Sequence, residues 1–447
     1  MAGRARYPRV VLLIESGKKK GAATIPDRDL THSNPAEKAL LVGVASGPQA
    51  RLMTEASVEE LGALARSAGA QVVGSIVQER KRRDPATLIG RGKVEEVART
   101  AEAKNVDLLL FDEELSPAQQ RNLERAVGRK TLDRTQLILD IFARRARSRE
   151  GRLQVELAQL DYLLPRLTGK GALMSRLGGG IGTRGPGETK LETDRRRIRT
   201  RIQAVKREIE KVRRNRHTRR EARQRTEAPV VALVGYTNAG KSTLFSALTR
   251  AKAQISDQLF VTLDPLVRKA DFGPGQEVLL VDTVGFIQKL PHALVAAFRA
   301  TLEEVTAADL LMHVIDASAE DMEEREAAVE TVLREIGAAD RPRVQVLNKI
   351  DRVPPVRAAG LKAARPDAVL VSASTGEGLG ELAATLSRRL GLLPQRVRLR
   401  FASRDARGIA GVYAAGRVVA HEVGGDEVTL EAEIPERLLE RYREHLL

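Results

Sequence analysis

The chain contains no cysteine and no tryptophan in 447 residues. Without thiols it can form neither disulfides nor thiolate metal sites, which fits a reducing compartment. Aromatic residues are scarce, with eight Phe and five Tyr, so extensive stacking on unpaired bases is not expected. No apolar run approaches the roughly 20 residues of a membrane-spanning helix. Val10 to Ile14 is too short for the core of a signal peptide and lacks a cleavage region. These absences predict a soluble cytoplasmic protein without a transmembrane segment; a monomer is expected.

What is abundant is positive charge, and it is concentrated. Arg195 to Arg225 holds 15 lysines and arginines against three glutamates, so this one stretch carries +12 of the chain's net +16. A basic segment on a near-neutral body suggests a polyanionic partner. The plainer reading is a solvated helix face. With so few aromatics, the phosphates and shape of folded RNA are a better match than single strands. DNA is not expected.

Length suggests about three domains, and the pattern supplies more detail. Residues 1–37 are polar and mixed, and read as a poorly ordered arm. Across 38–135, strand-like Leu40–Val44, Gln71–Ile76 and Val106–Phe111 alternate with helix-like Val58–Ser67, Lys93–Ala103 and Ser116–Val127. That alternation predicts a small α/β domain with a parallel sheet. Gly90-Arg-Gly-Lys93 resembles a phosphate loop but lacks the spacing, and reads as a strand-to-helix turn.

Residues 136–226 read as helical. Leu153, Leu157, Leu160, Leu164 and Leu167 step by four and three, and Ile198, Ile202, Val205, Ile209 and Val212 repeat the pattern. Two such seams predict an antiparallel helical hairpin, with Pro165 kinking or ending its first helix. Between them lie Gly178, Gly179, Gly180, Gly182, Arg184, Gly185, Gly187 and Lys190. Gly180, Gly182 and Gly185 satisfy G-x-G-x-x-G, but with no preceding strand a dinucleotide site is rejected. A hairpin needs only a few residues to turn. The long glycine-rich stretch is therefore expected to contact RNA, together with Arg213, Arg214 and Arg216, rather than merely connect.

The chemistry is written across 229–393. Val230–Val234 is a strand, followed by Gly235, Tyr236, Thr237, Asn238, Ala239, Gly240, Lys241, Ser242 and Thr243, and then a helix. This is G-x-x-x-x-G-K-[ST] in the strand–loop–helix setting that a phosphate cradle requires. Converging backbone N–H groups and the helix N-terminus attract phosphate, Lys241 reaches the β- and γ-phosphates, and Ser242 offers a hydroxyl to Mg2+. About 20 residues on, Thr262, preceded by Phe260 and Val261, is placed to act as a switch closing on the metal and γ-phosphate. The strand Val278–Val281 then ends in D-x-x-G: Asp282, Thr283, Val284 and Gly285. Asp282 is expected in the metal shell, and the Gly285 N–H is expected to sense the γ-phosphate. Lys241, Thr262 and Gly285 are the predicted catalytic residues; Ser242, Thr262 and Asp282 are the predicted metal ligands.

Base choice follows from Asn348, Lys349 and Asp351. A carboxylate at Asp351 accepts from both N1–H and the exocyclic amine of guanine, which adenine cannot match. Ser372, Ala373 and Ser374 end a strand with amides that can address the guanine oxygen. These elements, in order and each at a strand end, predict a GTP-binding, GTP-hydrolysing enzyme. Beyond it, 396–447 reads as a small α+β domain with strands Val397–Phe401, Arg417–His421 and Glu427–Ile434 and a terminal helix.

Taken together, the chain resembles the HflX family of translation-factor-related GTPases. The residues that carry the resemblance are Gly178 to Lys190, Asp282-Thr-Val-Gly-Phe-Ile287, Leu290-Pro-His-Ala-Leu-Val295 and Thr301-Leu-Glu-Glu304. It implies a GTPase that binds the large ribosomal subunit and its rRNA, and that splits or rescues stalled or idle ribosomes. It also implies a loop that approaches the peptidyl transferase centre, and hydrolysis stimulated by the ribosome. Many D-x-x-G proteins place Gln next to orient the attacking water; here Phe286 stands there and cannot hydrogen-bond it. Two alternatives stay open: a ribosome-assembly GTPase, and an RNA-binding or RNA-remodelling protein with a secondary nucleotide site.

Overall fold

The computed structural model describes residues 36–167, 186–224, 228–249, 259–260, 265–273, 276–289 and 302–447, with side chains in the long helix described at 192–212 and 214. The expected N-terminal arm, save its last two residues, falls outside these. The chain divides into two compact units, Met1–Leu137 with Glu156–Glu208, and Ile138–Val155 with Ile209–Leu447.

In the first unit, β1 (Lys38–Ala45), β2 (Gln71–Glu79), β3 (Leu108–Phe111) and β4 (Lys130–Asp133) form a parallel sheet of order β2-β1-β3-β4. The crossovers are α1 (Pro48–Ser67), α2 (Arg91–Ala103) and α3 (Pro117–Val127). β1 and β3 are almost continuously apolar because helices cover both faces of such a sheet. Leu40, Val42, Leu109 and Phe111 meet Val94, Val97 and Leu123 in the core. Ser116 caps α3 in a reciprocal box with Gln119, which fixes that helix's start. Gly90 is the residue from which α2 begins, as a strand-to-helix turn should be.

Arg134 is buried beneath the strand ends. Its guanidinium donates to Asp112 at 2.7 and 3.0 Å, to Glu60 at 2.8 Å and to the Ser57 carbonyl at 2.7 Å. Burial disfavours the cation, but Asp112 and Glu60 outweigh it and raise the pKa. Removing one partner of such a set typically costs about 3–5 kcal/mol, because a buried charge is left uncompensated.

Three helices run on from this sheet: α4 (Arg134–Arg145), α5 (Arg149–Arg166) and α6 (Pro186–Gln224). Pro165 is the penultimate residue of α5, so it ends the helix. α6 is 39 residues, or about 58 Å at 1.5 Å per residue. Leu153, Leu160, Ile198, Ile202 and Val205 of the two seams are buried, and Arg201 of α6 donates to Glu156 of α5 at 2.6 and 2.9 Å. The turn between these helices lies outside the described residues. Pro186 opens α6, since its fixed φ suits a first helical position. Gly187 and Lys190, expected in the loop, therefore belong to the helix.

The second unit holds a six-stranded sheet of order β10-β9-β8-β5-β7-β6. Its strands are β5 (Val230–Val234), β6 (Leu266–Asp271), β7 (Glu277–Asp282), β8 (Leu310–Asp316), β9 (Arg343–Asn348) and β10 (Val369–Leu370). All pairings are parallel except β6 with β7 at one edge. Its helices are α7 (Lys241–Thr249), α8 (Met322–Glu335), α9 (Pro355–Ala364) and α10 (Leu379–Arg389). Leu233, Leu244, Phe245, Leu280, Met312, Val346 and Leu382 form its core.

A C-terminal antiparallel sheet follows, order β11-β13-β12, from β11 (Pro394–Ala402), β12 (Arg417–Gly424) and β13 (Glu427–Pro435). One helix was not expected, α11 (Ala406–Ala415); Asp405 caps it and Val412 anchors it in the core. The terminal helix reduces to α12 (Glu436–Leu439) and a 3-10 segment. The chain is thus an α/β protein with a small α/β region before its P-loop domain and an α+β domain after it. Among the described residues, no helix is long and apolar enough to cross a membrane.

Candidate functional site

Every described motif lies at the C-terminal ends of β5, β7, β8, β9 and β10, where a parallel sheet gathers ligands. β5 runs into the P-loop and α7 begins at Lys241. Two glycines are dictated by space. A Cβ on Gly235 (φ +151°) would lie 2.2 Å from the Val314 carbonyl, and one on Gly240 (φ +91°) 2.2 Å from Asn348 Nδ2. Asn238 turns the loop at φ +60° and is exposed.

Lys241 is buried, and its ammonium donates to the carbonyls of Gly235 at 3.0 Å and Tyr236 at 2.8 Å. Burial pushes its pKa down to about 8, with Asp282 opposing and Lys349 assisting. The Ser242 hydroxyl donates to Asp282 Oδ2 at 2.8 Å. A hydroxyl and a carboxylate side by side at a helix N-terminus are the hard oxygen donors that suit Mg2+. Thr243 follows in the first turn of α7.

The D-x-x-G segment is laced to the P-loop. Phe286 N–H donates to the Gly235 carbonyl at 3.1 Å, and Thr237 N–H donates to the Phe286 carbonyl at 2.7 Å. A Cβ on Gly285 would meet Thr237 Cα at 2.9 Å and Lys241 Nζ at 3.0 Å, so only glycine fits. Phe286, Ile287 and Val284 are buried. Thr283 is wholly buried and spends its hydroxyl on the Leu233 carbonyl. It belongs to the scaffold. The Thr237 N–H is taken by Phe286, while its buried hydroxyl has no hydrogen-bond partner among the described residues.

At the opposite side, Asn348 joins two loops. Its Nδ2 donates to the Ala239 carbonyl at 2.9 Å, and its Oδ1 accepts from the Ala373 N–H at 3.0 Å. Lys349 is held at φ +64°, a strained conformation for a residue with a side chain. Asp351 Oδ1 accepts from Ser372 Oγ at 2.7 Å, and Ser374 Oγ lies 3.0 Å from Ser372 Oγ. Asp351 is otherwise exposed.

The remaining expected residues stand apart from the described motifs or outside the described residues. Val261 and Thr262 lie outside the described residues, as do Gly178, Gly179, Gly180, Gly182, Arg184 and Gly185. Phe260, at φ +58°, packs its ring edge-to-face on Phe142 of α4, 4.6 Å between centroids. Arg213, Arg214 and Arg216 lie on α6, and Arg214 is exposed.

Other residues went unread in the sequence. Asp316, the last residue of β8, lies 2.7 Å from Lys349 Nζ. Burial raises its pKa, but hydrogen bonds from Lys349 and Ser318 outweigh this and hold it below the usual carboxylate value. Its place at a strand end could have flagged it. His313, earlier on β8, is buried, and its Nδ1 has no partner among the described residues. Burial first, then Arg343, Arg365 and Lys241, push its pKa down to about 3, so it stays neutral. The Tyr236 hydroxyl accepts from the Gln288 N–H at 2.9 Å.

A P-loop on a mostly parallel sheet, with D-x-x-G and N-K-x-D at other strand ends of the same edge, defines a P-loop GTPase. The family models and the sequence relatives agree. Residues 55–143 match the family model described as GTP-binding GTPase N-terminal, 145–223 the GTP-binding GTPase middle region, and 230–349 the 50S ribosome-binding GTPase. The GTPase HflX of Caldanaerobacter subterraneus subsp. tengcongensis is 47% identical over 411 residues, covering 92% of this chain and 94% of the relative. The GTPase HflX of Escherichia coli K12 is 47% identical over 354 residues, covering 77% and 83%. A GTP-binding protein from the archaeon Sulfolobus solfataricus, solved with GDP, is 25% identical with a TM-score of 0.43, covering 79% of this chain and 98% of its own. The chain belongs to the HflX family of GTPases: it binds GTP and hydrolyses it.

Proposed function

We propose that the chain is a cytoplasmic ribosome-associated factor that binds the large subunit in its GTP state and splits or rescues stalled or idle ribosomes. The observation that carries this reading is a single 39-residue basic helix on a GTPase of this family. Helix α6 offers its cations to rRNA phosphates, and the sequence before it, rich in glycine and poor in bulky side chains, suits a narrow RNA surface. The description of the matching family model as a 50S ribosome-binding GTPase supports the same partner.

At the nucleotide, the P-loop amides and the start of α7 receive the phosphates. Lys241, already seated on two P-loop carbonyls, keeps its remaining donor for the β/γ-phosphates. Asp351 reads the guanine edge, backed by Ser372, and Asn348 keeps the base loop and phosphate loop in register. Ser242 and Asp282 would hold Mg2+, with Thr262 joining when the switch closes; the metal would neutralise charge between the phosphates. The Gly285 N–H senses the γ-phosphate. Phe286 supplies no group to the attacking water, and its backbone N–H and carbonyl are already engaged, so intrinsic turnover is slow. Ribosomes or large subunits should raise it by at least an order of magnitude by adding transition-state stabilisation.

The test is salt-resistant cosedimentation with purified ribosomal subunits in a non-hydrolysable GTP analogue and in GDP. Retention on the large subunit in the analogue alone is expected. Equal retention in both nucleotides, or none, would overturn the reading.

A further inference from the structure

The contact between Tyr236 and Gln288 extends a β-ladder beyond where the backbone can carry it. Tyr236 and Phe286 form a parallel bridge. Its rungs are Phe286 N–H to the Gly235 carbonyl and Thr237 N–H to the Phe286 carbonyl. In a parallel ladder the next donor is the N–H two residues on, that of Gln288, and its acceptor would be the Thr237 carbonyl. The P-loop instead turns away at Asn238, φ +60°, and the tyrosine hydroxyl takes the Gln288 N–H at 2.9 Å. A side chain stands in for the missing strand. Directly afterwards Lys289 adopts φ +55°.

The ring is itself fixed. Tyr236 is buried, and the Arg325 guanidinium of α8 lies over it, 5.3 Å from its centroid. Arg325 forms an ion pair with Asp321, 2.8 Å from its Nε. A cation over a phenol ring is attractive, and it limits the ring's freedom to swing.

We propose that Tyr236 is a positioning residue for GTP hydrolysis: its hydroxyl stops the D-x-x-G segment from peeling off the P-loop at Gln288. Gly285 then stays pressed against Thr237 and Lys241, where its N–H can meet the γ-phosphate. The geometry suits a site with Phe286 in place of a catalytic amide. With no side chain to order the water, rate depends on how firmly the backbone donor is held. Tyr236 also links α8 to this segment through Arg325.

The test is Tyr236→Phe in the full chain, which deletes one acceptor and keeps the ring. Three quantities are read: single-turnover GTP hydrolysis, GDP affinity, and amide exchange in the peptide spanning 284–289. Loss of one hydrogen bond should slow hydrolysis roughly 5- to 10-fold and speed exchange at Gln288 by a similar factor, without a matching loss of GDP affinity. Arg325→Met, which keeps the hydroxyl but frees the ring, should give an intermediate loss of rate. Unchanged exchange would show that no clamp exists. Faster exchange with unchanged hydrolysis would show a clamp without a role, and equal losses of rate and GDP affinity would reduce it to P-loop damage; each overturns the proposal. Should Tyr236→Phe melt well below wild type, the exchange and rate of Arg325→Met decide the matter alone.

Discussion

The ammonium of Lys349, the residue just past the end of β9, lies 2.7 Å from the carboxylate of Asp316, the last residue of the neighbouring β8 and 33 positions earlier in sequence. Lys349 sits at φ +64°, and the ion pair helps hold it there beside the base-reading loop. Asp316→Ala should therefore weaken GTP and GDP alike, by roughly 5- to 10-fold, because a partly buried charge pair is broken. The carboxylate's folded pKa lies below its ordinary 3.8. Its contribution is therefore fully present above that value and is lost only as pH falls through the lower folded value. Affinities measured by fluorescent-nucleotide titration from pH 5 to 8 should show no step from this group. Wild-type affinity in the variant would free Lys349 of any need for Asp316.

The pKa of Lys241 is lowered too, but there it is the neutral form that folding favours. Its pKa in the nucleotide-free protein is about 8, below its ordinary 10.5. Phosphates favour the protonated amine, so GDP affinity should be level below about 8 and decline above it. Stability of the nucleotide-free chain should instead rise between about 8 and 10.5, since burying the charged form is what costs. Titration and thermal melting across this range check both trends; a parallel movement of the two would contradict the assignment.

Asp351→Asn replaces an acceptor-only carboxylate with an amide whose donor faces guanine's donors. GTP binding should weaken by about 1–3 kcal/mol. Xanthosine triphosphate, with a carbonyl in place of the exocyclic amine, should bind the variant better than it binds the wild type. Unchanged GTP affinity would remove Asp351 from the base pocket.

Replacing Gly178 to Gly185 with a short Gly-Ser turn leaves Pro186 to start α6. This variant should keep GTP binding and intrinsic hydrolysis, lose ribosome splitting, and respond weakly to added ribosomes. Charge reversal at Arg213, Arg214 and Arg216 should instead lower ribosome affinity broadly and flatten its salt dependence. If the shortened loop splits 70S particles as wild type does, in a sucrose-gradient assay, the stretch is only a connector.

The phosphate loop, D-x-x-G and N-K-x-D could be read from the chain because each packs its chemistry into a few consecutive residues with fixed local spacing. The strand β5 and the basic character of α6 were legible for the same reason: local pattern suffices when a periodic face or a charge run is uninterrupted. Other features were not. α11 contains Gly408 and Gly411, whose poor helix propensity hides a helix that Val412 secures by burial in the core. β4 is four residues long and has no pattern of its own; it exists because β3 offers it an edge. Asp316 gains its meaning from Lys349 just beyond the next strand, and Asn348 from Ala239, 109 residues away. The Tyr236 hydroxyl gains its own from a backbone N–H 52 residues on. Sequence alone determined which nucleotide chemistry the chain carries, because that chemistry is contiguous. Tertiary structure decided which side chains hold the parts together, because hydrogen bonds over such separations depend on sheet order and register, which no local spacing records.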